Sequence, residues 1–341
     1  MARQVIVPLD QSHVAECAVP YARALARRMN APLVLLSVVE PSGNLPEPPI
    51  EEDLPPIEEP PSGPAGVRYS ASLPIGFNPG LPEFDESQID ELTEQLNETE
   101  QYLSYVGDSI TDVHVEKMVV YGNPVDQIIR AGEAMNGIGE DSPVYVIASH
   151  GRSGLGRVLL GSVALKVAER ATSPMLMIRA LRSPVPSADE ISLNRIMIAL
   201  DGSDFSESVV EPARHVFGRD GTEIHLMTSV DMERSWVTGE PQEKDSEGRT
   251  ARDNAEQYIA GIADRMKARG LTVTWDVVEG DPAERINSVA ADVQADVIAL
   301  ATHGRSGLRR LAIGSVAEEV LHKSTRPMFL VRPESTHGVR D

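Results

Sequence analysis

The sequence predicts two tandem doubly wound α/β domains, each built on a five-stranded parallel sheet with helices on both faces. Three observations predict this. First, one block occurs twice: Ser149-His150-Gly151-Arg152-Ser153-Gly154-Leu155 returns as Thr302-His303-Gly304-Arg305-Ser306-Gly307-Leu308, and Gly161-Ser162-Val163-Ala164 returns at the same offset as Gly314-Ser315-Val316-Ala317. Second, each copy alternates short β-branched runs with longer stretches of helical period. Third, the strand candidates are almost continuously apolar, as expected of parallel strands buried on both faces. A length of 341 residues with 41% hydrophobic content is enough for two such cores.

In the first copy the strands are read at residues 4–9, 31–39, 113–120, 144–149 and 175–179, and in the second at 195–200, 223–230, 272–278, 297–302 and 328–332. Residues 12–29, 87–106 and 253–269 carry apolar side chains at helical spacing, and Ser12, Ser203 and Asp204 stand where helix starts are expected. Val120-Tyr121-Gly122-Asn123-Pro124 pairs with Val278-Glu279-Gly280-Asp281-Pro282, but the offset between copies grows toward the amino terminus. The first copy therefore carries extra residues. Most fall in 41–85, where stretches such as Pro46-Glu47-Pro48-Pro49 remove backbone donors and core-forming side chains, so a loop or disordered insert is expected. A shorter counterpart spans 231–248. The expected domains are 1–180 and 193–334, with a linker at 181–192 and a tail at 335–341.

The formal charge of −21 repels phosphate backbones and anionic headgroups, which argues against nucleic-acid and membrane partners. Cys17 is the single cysteine, so no internal disulfide is expected, and the start Met1-Ala2-Arg3-Gln4 has no apolar signal core. A cytoplasmic protein is the expectation.

Ligands of doubly wound sheets bind beyond the carboxyl ends of the strands. Strand one ends at Pro8-Leu9-Asp10 or Ala199-Leu200-Asp201, and strand four at Ser149-His150-Gly151 or Thr302-His303-Gly304. The loop after strand four reaches Gly161-Ser162 or Gly314-Ser315 at a helix start, where glycine, unsatisfied N–H groups and the helix dipole together suit an anion. Arg152, Arg157, Arg305, Arg309 and Arg310 either neutralise phosphate there or are solvated surface charges. His150 and His303 have no Cys or carboxylate at metal-ligand spacing, so no metal site is assigned. Ser203 reads as a helix cap rather than a nucleophile, since no G-x-S-x-G elbow surrounds it. Cys17 reads as a core residue, and no catalytic residue is assigned.

The strand-four loop resembles the nucleotide-binding signature of the universal stress protein family: glycine, two residues, glycine, nine residues, glycine, then serine or threonine. Gly151 and Gly161-Ser162 match it, as do Gly304 and Gly314-Ser315, whereas Ala148 and Ala301 replace the first glycine. The resemblance covers both copies apart from the inserts. It implies an adenine nucleotide alpha hydrolase-like fold and a stress-response regulator that binds ATP or another adenine nucleotide, with or without Mg. By resemblance, Asp10 and Asp201 contact adenine or ribose, beside Pro8 and Ala199. Val38 and Val39, or Ser229 and Val230, wall the base. Gly151, Gly154, Gly161, Ser162 and Val163, with Gly304, Gly307, Gly314, Ser315 and Val316, hold ribose and phosphates. The family also implies a homodimer, or pairing of the two copies through their fifth strands. Two alternatives are a nucleotide-independent interaction module and a weak ATPase.

Overall fold

A computed structural model describes residues 3–40, 67–69, 86–135, 142–149, 161–180, 185–230, 250–302 and 313–332. The chain separates into two compact units: Met1–Val167 with Ala180–Ile191, and Ala168–Arg179 with Ser192–Asp341.

In the first unit β1 (Val5–Pro8) leads through α1 (His13–Glu16) and α2 (Val19–Met29) to β2 (Leu33–Val39). There follow β3 (Val67–Tyr69), α3 (Glu86–Asp108), β4 (Val115–Tyr121), α4 (Pro124–Ala134), β5 (Val144–Ala148) and α5 (Ser162–Arg170), the last of which crosses the unit boundary. The strand order is β3-β4-β2-β1-β5. Every pairing is parallel, with Val5 opposite Leu33 and Leu33 opposite Val115. Val5, Ile6 and Val7 are wholly buried, which is why the run is apolar on both faces. Asn30 ends α2 in the left-handed conformation, its N–H returning to the carbonyls of Ala26 and Arg27. Strand β3 is a departure from the expected loop: three residues within a proline-rich stretch are too short for a period of two to show.

The second unit contains β6 (Met175–Ile178), β7 (Arg195–Leu200), α6 (Asp204–Glu207), α7 (Val210–Phe217), β8 (Glu223–Val230) and α8 (Ala251–Lys267). It continues with β9 (Thr272–Glu279), α9 (Pro282–Asp292), β10 (Val297–Ala301), α10 (Ser315–Lys323) and β11 (Met328–Val331). Its order is β6-β11-β10-β7-β8-β9. The strands from β11 to β9 pair in parallel, and β6 runs antiparallel to β11 with Met177 opposite Met328. The last strand of the first sequence copy thus lies against the last strand of the second, so the fifth strands do pair within the chain. Arginines at the ends of both strands close the arrangement. Arg179 Nη1 donates to the carbonyls of His322 (3.2 Å) and Ser324 (2.7 Å), and Arg332 Nη1 to that of Arg170 (2.9 Å). Cationic side chains there satisfy carbonyls that a helix end leaves without partners. Phe217 and Phe329 meet edge to face at 5.0 Å in the core. Among the described residues no helix is long and apolar enough to cross a membrane.

One core position differs in chemistry between the copies. His225 on β8 is 9% exposed, whereas its counterpart Val34 on β2 is fully buried. His225 Nδ1 lies 2.9 Å from Thr274 Oγ1, while Nε2 is buried without a hydrogen bond, 3.4 Å from a carboxylate oxygen of Asp276. Burial pushes the imidazole below its usual value, and Asp276 opposes the shift without cancelling it. A depressed folded-state value means that the unfolded chain takes the proton first as pH falls. The contribution is complete above the unfolded value of about 6.5 and is lost as pH falls through the folded-state value. The variant His225→Val should therefore lose less melting temperature than the parent between pH 7.5 and pH 5. Parallel curves for the two proteins would show that His225 does not carry the effect.

Candidate functional site

The two strand-one turns are built alike. Asp10 Oδ1 accepts from Ser12 N (3.1 Å) and Ser12 Oγ (2.5 Å), while Ser12 Oγ accepts from Ala15 N (3.1 Å). In the second copy Asp201 Oδ1 accepts from Ser203 N (3.0 Å) and Oγ (2.6 Å), and Ser203 Oγ accepts from Ser206 N (3.1 Å). The serine caps a short helix and, by the same hydroxyl, fixes the carboxylate at the strand end. The turn requires a left-handed residue between them. Gly202 takes φ 81° there without steric cost, whereas Gln11 holds φ 63° and its amide donates to Thr99 Oγ1 at 3.3 Å. Ser206, which replaces Ala15, adds a further tie: its Oγ accepts from Asp201 N at 3.1 Å and donates to the Ser203 carbonyl at 2.9 Å.

Across the sheet, the glycine before α5 or α10 is anchored to the end of strand four. Gly314 N donates to the Thr302 carbonyl at 2.6 Å, and Gly161 N donates to that of Ser149. The glycine carbonyls accept from Glu318 N and Leu165 N, closing the first helical turn. These glycine N–H groups are therefore committed to the backbone, and an anion at the helix start would meet the N–H groups of the next residues instead. Gly314 provides no side-chain cap for α10.

Between these two edges each unit holds a cavity. In the first unit it measures about 240 Å³ and is lined by Pro8, Leu9, Asp10, Ala15, Leu36, Val38, Glu40, Pro124, Ile128, Ile147, Ala148, Gly161, Ser162, Val163 and Ala164. In the second it measures about 360 Å³ and is lined by Ala199, Leu200, Asp201, Ser206, Met227, Ser229, Gly280, Pro282, Ile286, Leu300, Ala301, Thr302, Gly314, Ser315, Val316 and Ala317. Almost every lining residue of one cavity has its counterpart in the other, so the repeat extends from sequence to site.

Most of the expected ligand-binding residues come together here: Pro8, Asp10, Val38, Ala148, Gly161, Ser162 and Val163 in one cavity, and Ala199, Asp201, Ala301, Gly314, Ser315 and Val316 in the other. Val39 and Val230 do not line them. Side chains alternate across a strand, so Val38 and Ser229 face the cavities and their neighbours cannot. Gly151, Gly154, Gly304 and Gly307 lie outside the described residues, as do His150, His303 and the five loop arginines. Sequence reasoning missed the floor formed by Pro124 and Ile128, or Gly280, Pro282 and Ile286. The recurring Gly-x-Pro turn after strand three was its signal, since proline in the first turn starts α4 and α9 at the cavity edge. Among the described residues no group of three or more His, Cys, Asp or Glu side chains gathers to hold a metal ion.

The larger cavity falls within the range of small-molecule sites, both walls are mainly apolar, and each holds one serine-fixed carboxylate, with Glu40 a second carboxylate in the lining of the first.

The profile of the Universal stress protein family matches residues 1–179 and 192–332. A universal stress protein of Mycobacterium tuberculosis is 26% identical over 222 residues, covering 64% of this chain and 69% of the relative. Another, of Methanocaldococcus jannaschii, is 28% identical over 140 residues, covering 40% of this chain and 81% of the relative. Among solved structures, a universal stress protein from Archaeoglobus fulgidus has the same fold, with a TM-score of 0.62 at 17% identity over 96% of this chain and 98% of that one. With the family profile matched in both copies, the chain belongs to the universal stress protein family.

Proposed function

We propose that this protein is a cytoplasmic stress-response regulator that binds ATP or another adenine nucleotide in each copy, between the ends of strands one and four. The observation that carries this reading is the recurrence of one constellation in two cavities: a serine-fixed carboxylate, an apolar wall and a glycine-led helix start. Asp10 and Asp201 would accept from the adenine amine or ribose hydroxyls. Val38 and Ser229 would line the base. The first-turn N–H groups of α5 and α10, with Ser162 and Ser315, would hold phosphate, and a Mg ion would enter with the nucleotide rather than on a protein site. The role proposed is binding, and the hydroxyls beside the carboxylates, Ser12 and Ser203, are engaged as helix caps rather than as nucleophiles.

ATP should raise the melting temperature, since a ligand confined to the folded state stabilises it by about 2.7 kcal/mol at a hundred times its Kd. GTP should do less. Absence of any shift with millimolar ATP, together with no nucleotide carried on the purified protein in a native mass spectrum, would overturn the reading. It would favour instead a nucleotide-independent interaction module, a reading to which the methyl groups of Ala148 and Ala301 in the cavity walls lend support.

A further inference from the structure

The two cavities share a plan and differ in a few side chains, most of them on the side of strands one and two; on strand four Ile147 is replaced by Leu300, and Glu40 lines the first cavity alone. Pro8 is replaced by Ala199, Ala15 by Ser206, Leu36 by Met227 and Val38 by Ser229. The first exchange removes a ring, and the third puts an unbranched, adaptable side chain in place of a branched one. Both accord with the larger volume of the second cavity, about 360 Å³ against about 240 Å³. The second exchange is internal, since the Ser206 hydroxyl is already bonded to the Asp201 N–H and the Ser203 carbonyl. The fourth is different in kind. Val38 and Ser229 occupy the same register position near the end of strand two, both half-buried and both facing the cavity. A valine there offers shape alone. A serine offers one donor and two acceptor positions, and in a half-buried wall such a hydroxyl has to bond either water or a ligand.

We propose that the two cavities form a graded pair, in which the second copy holds the tighter nucleotide site and Ser229 is the residue that sets the difference by hydrogen-bonding the base or ribose. This rests on the nucleotide-binding reading given above. One neutral hydrogen bond is worth roughly a tenfold change in Kd at most. The roomier cavity adds a second contribution of the same sign, because Ala199 leaves more space than Pro8 at the strand-one end. Since a hydroxyl both donates and accepts, it raises affinity for adenine nucleotides without by itself excluding other purines. Discrimination between bases falls to the rest of the wall.

The test is a calorimetric titration of the full chain with ATP, carried out on the parent, Ser229→Val and Val38→Ser. The parent should show two binding phases separated by about tenfold. Ser229→Val replaces a strand residue by one of higher strand propensity, so folding is retained. It should weaken the tight phase toward the other and leave the weak phase unmoved. Val38→Ser should do the converse, strengthening the weak phase. An unweakened tight phase in Ser229→Val would overturn the role of Ser229, and two equal sites in the parent would overturn the graded pair, each leaving nucleotide binding intact. Absence of any ATP binding in the parent would overturn the underlying reading and this proposal with it.

Discussion

Replacing Gly132 with alanine is expected to destabilise the first unit by about 3 kcal/mol or more, although alanine is the better helix former. A Cβ at this position of α4 would lie 1.9 Å from the Tyr145 hydroxyl oxygen and 2.7 Å from the ring carbon bearing it. Tyr145 on β5 is 1% exposed, so the ring has no free space to move into. Its hydroxyl stands 3.1 Å from the Ile128 carbonyl and 3.3 Å from that of Ile129, to which it donates. Burial, reinforced by the charge of Glu133, pushes the phenol far above its usual value, so it remains a protonated donor. Alanine at 132 would force the ring aside, combining overpacking with a buried hydroxyl left unpaired, each worth roughly 1–3 kcal/mol. The second copy shows the compatible alternative. Ala290 and Ile298 occupy the equivalent positions, both wholly buried. Adding Tyr145→Ile to Gly132→Ala should therefore recover most of the loss, whereas Tyr145→Phe should not, because the ring carbon remains in the way. Urea denaturation followed on the three variants measures this. A Gly132→Ala midpoint equal to that of the parent, or no recovery in the double variant with isoleucine, would show that the contact is not the source of the effect.

The same pair illustrates what was legible in the sequence. Strands were legible because parallel strands buried on both faces are written as apolar runs. The predicted 144–149 and 297–302 correspond to β5 (Val144–Ala148) and β10 (Val297–Ala301). That Gly132 and Tyr145 must be exchanged together was not legible, since helix-to-strand contacts have no fixed sequence spacing. Strand β3 escaped because a three-residue edge strand has too little pattern to stand out from its prolines. At the cavity, the Asp-x-Ser turns could be read from local chemistry, because the bonds that fix Asp10 and Asp201 span only two residues. Pairing Val39 with Val38 overlooked the alternation of a strand. That the N–H groups of Gly161 and Gly314 go to the carbonyls of Ser149 and Thr302 was not legible, because these bonds appear only once strand four and the following helix are placed together. In the proposed site the glycine would then serve through the space beside it rather than through its donor.

That distinction gives the second large effect. Gly314→Val should abolish nucleotide-induced stabilisation of the second copy, and Gly161→Val that of the first, with little change in the unliganded fold. Gly314 has φ −59° and ψ 147°, a conformation open to any residue, so valine introduces no backbone strain. Its N–H bond to Thr302 and its carbonyl bond to Glu318 are made by the main chain and survive the substitution. The poorer N-cap costs roughly 1 kcal/mol, which appears equally with and without ligand and cancels in the shift. Valine would instead project a side chain at the cavity edge that Gly314 lines, where phosphate would approach the helix N–H groups. At saturating ATP each single variant should keep one binding site and the double variant none, so the melting-temperature shift should fall stepwise to zero. An undiminished ATP shift in the double variant would remove the helix starts from the binding site and place the nucleotide elsewhere on the protein.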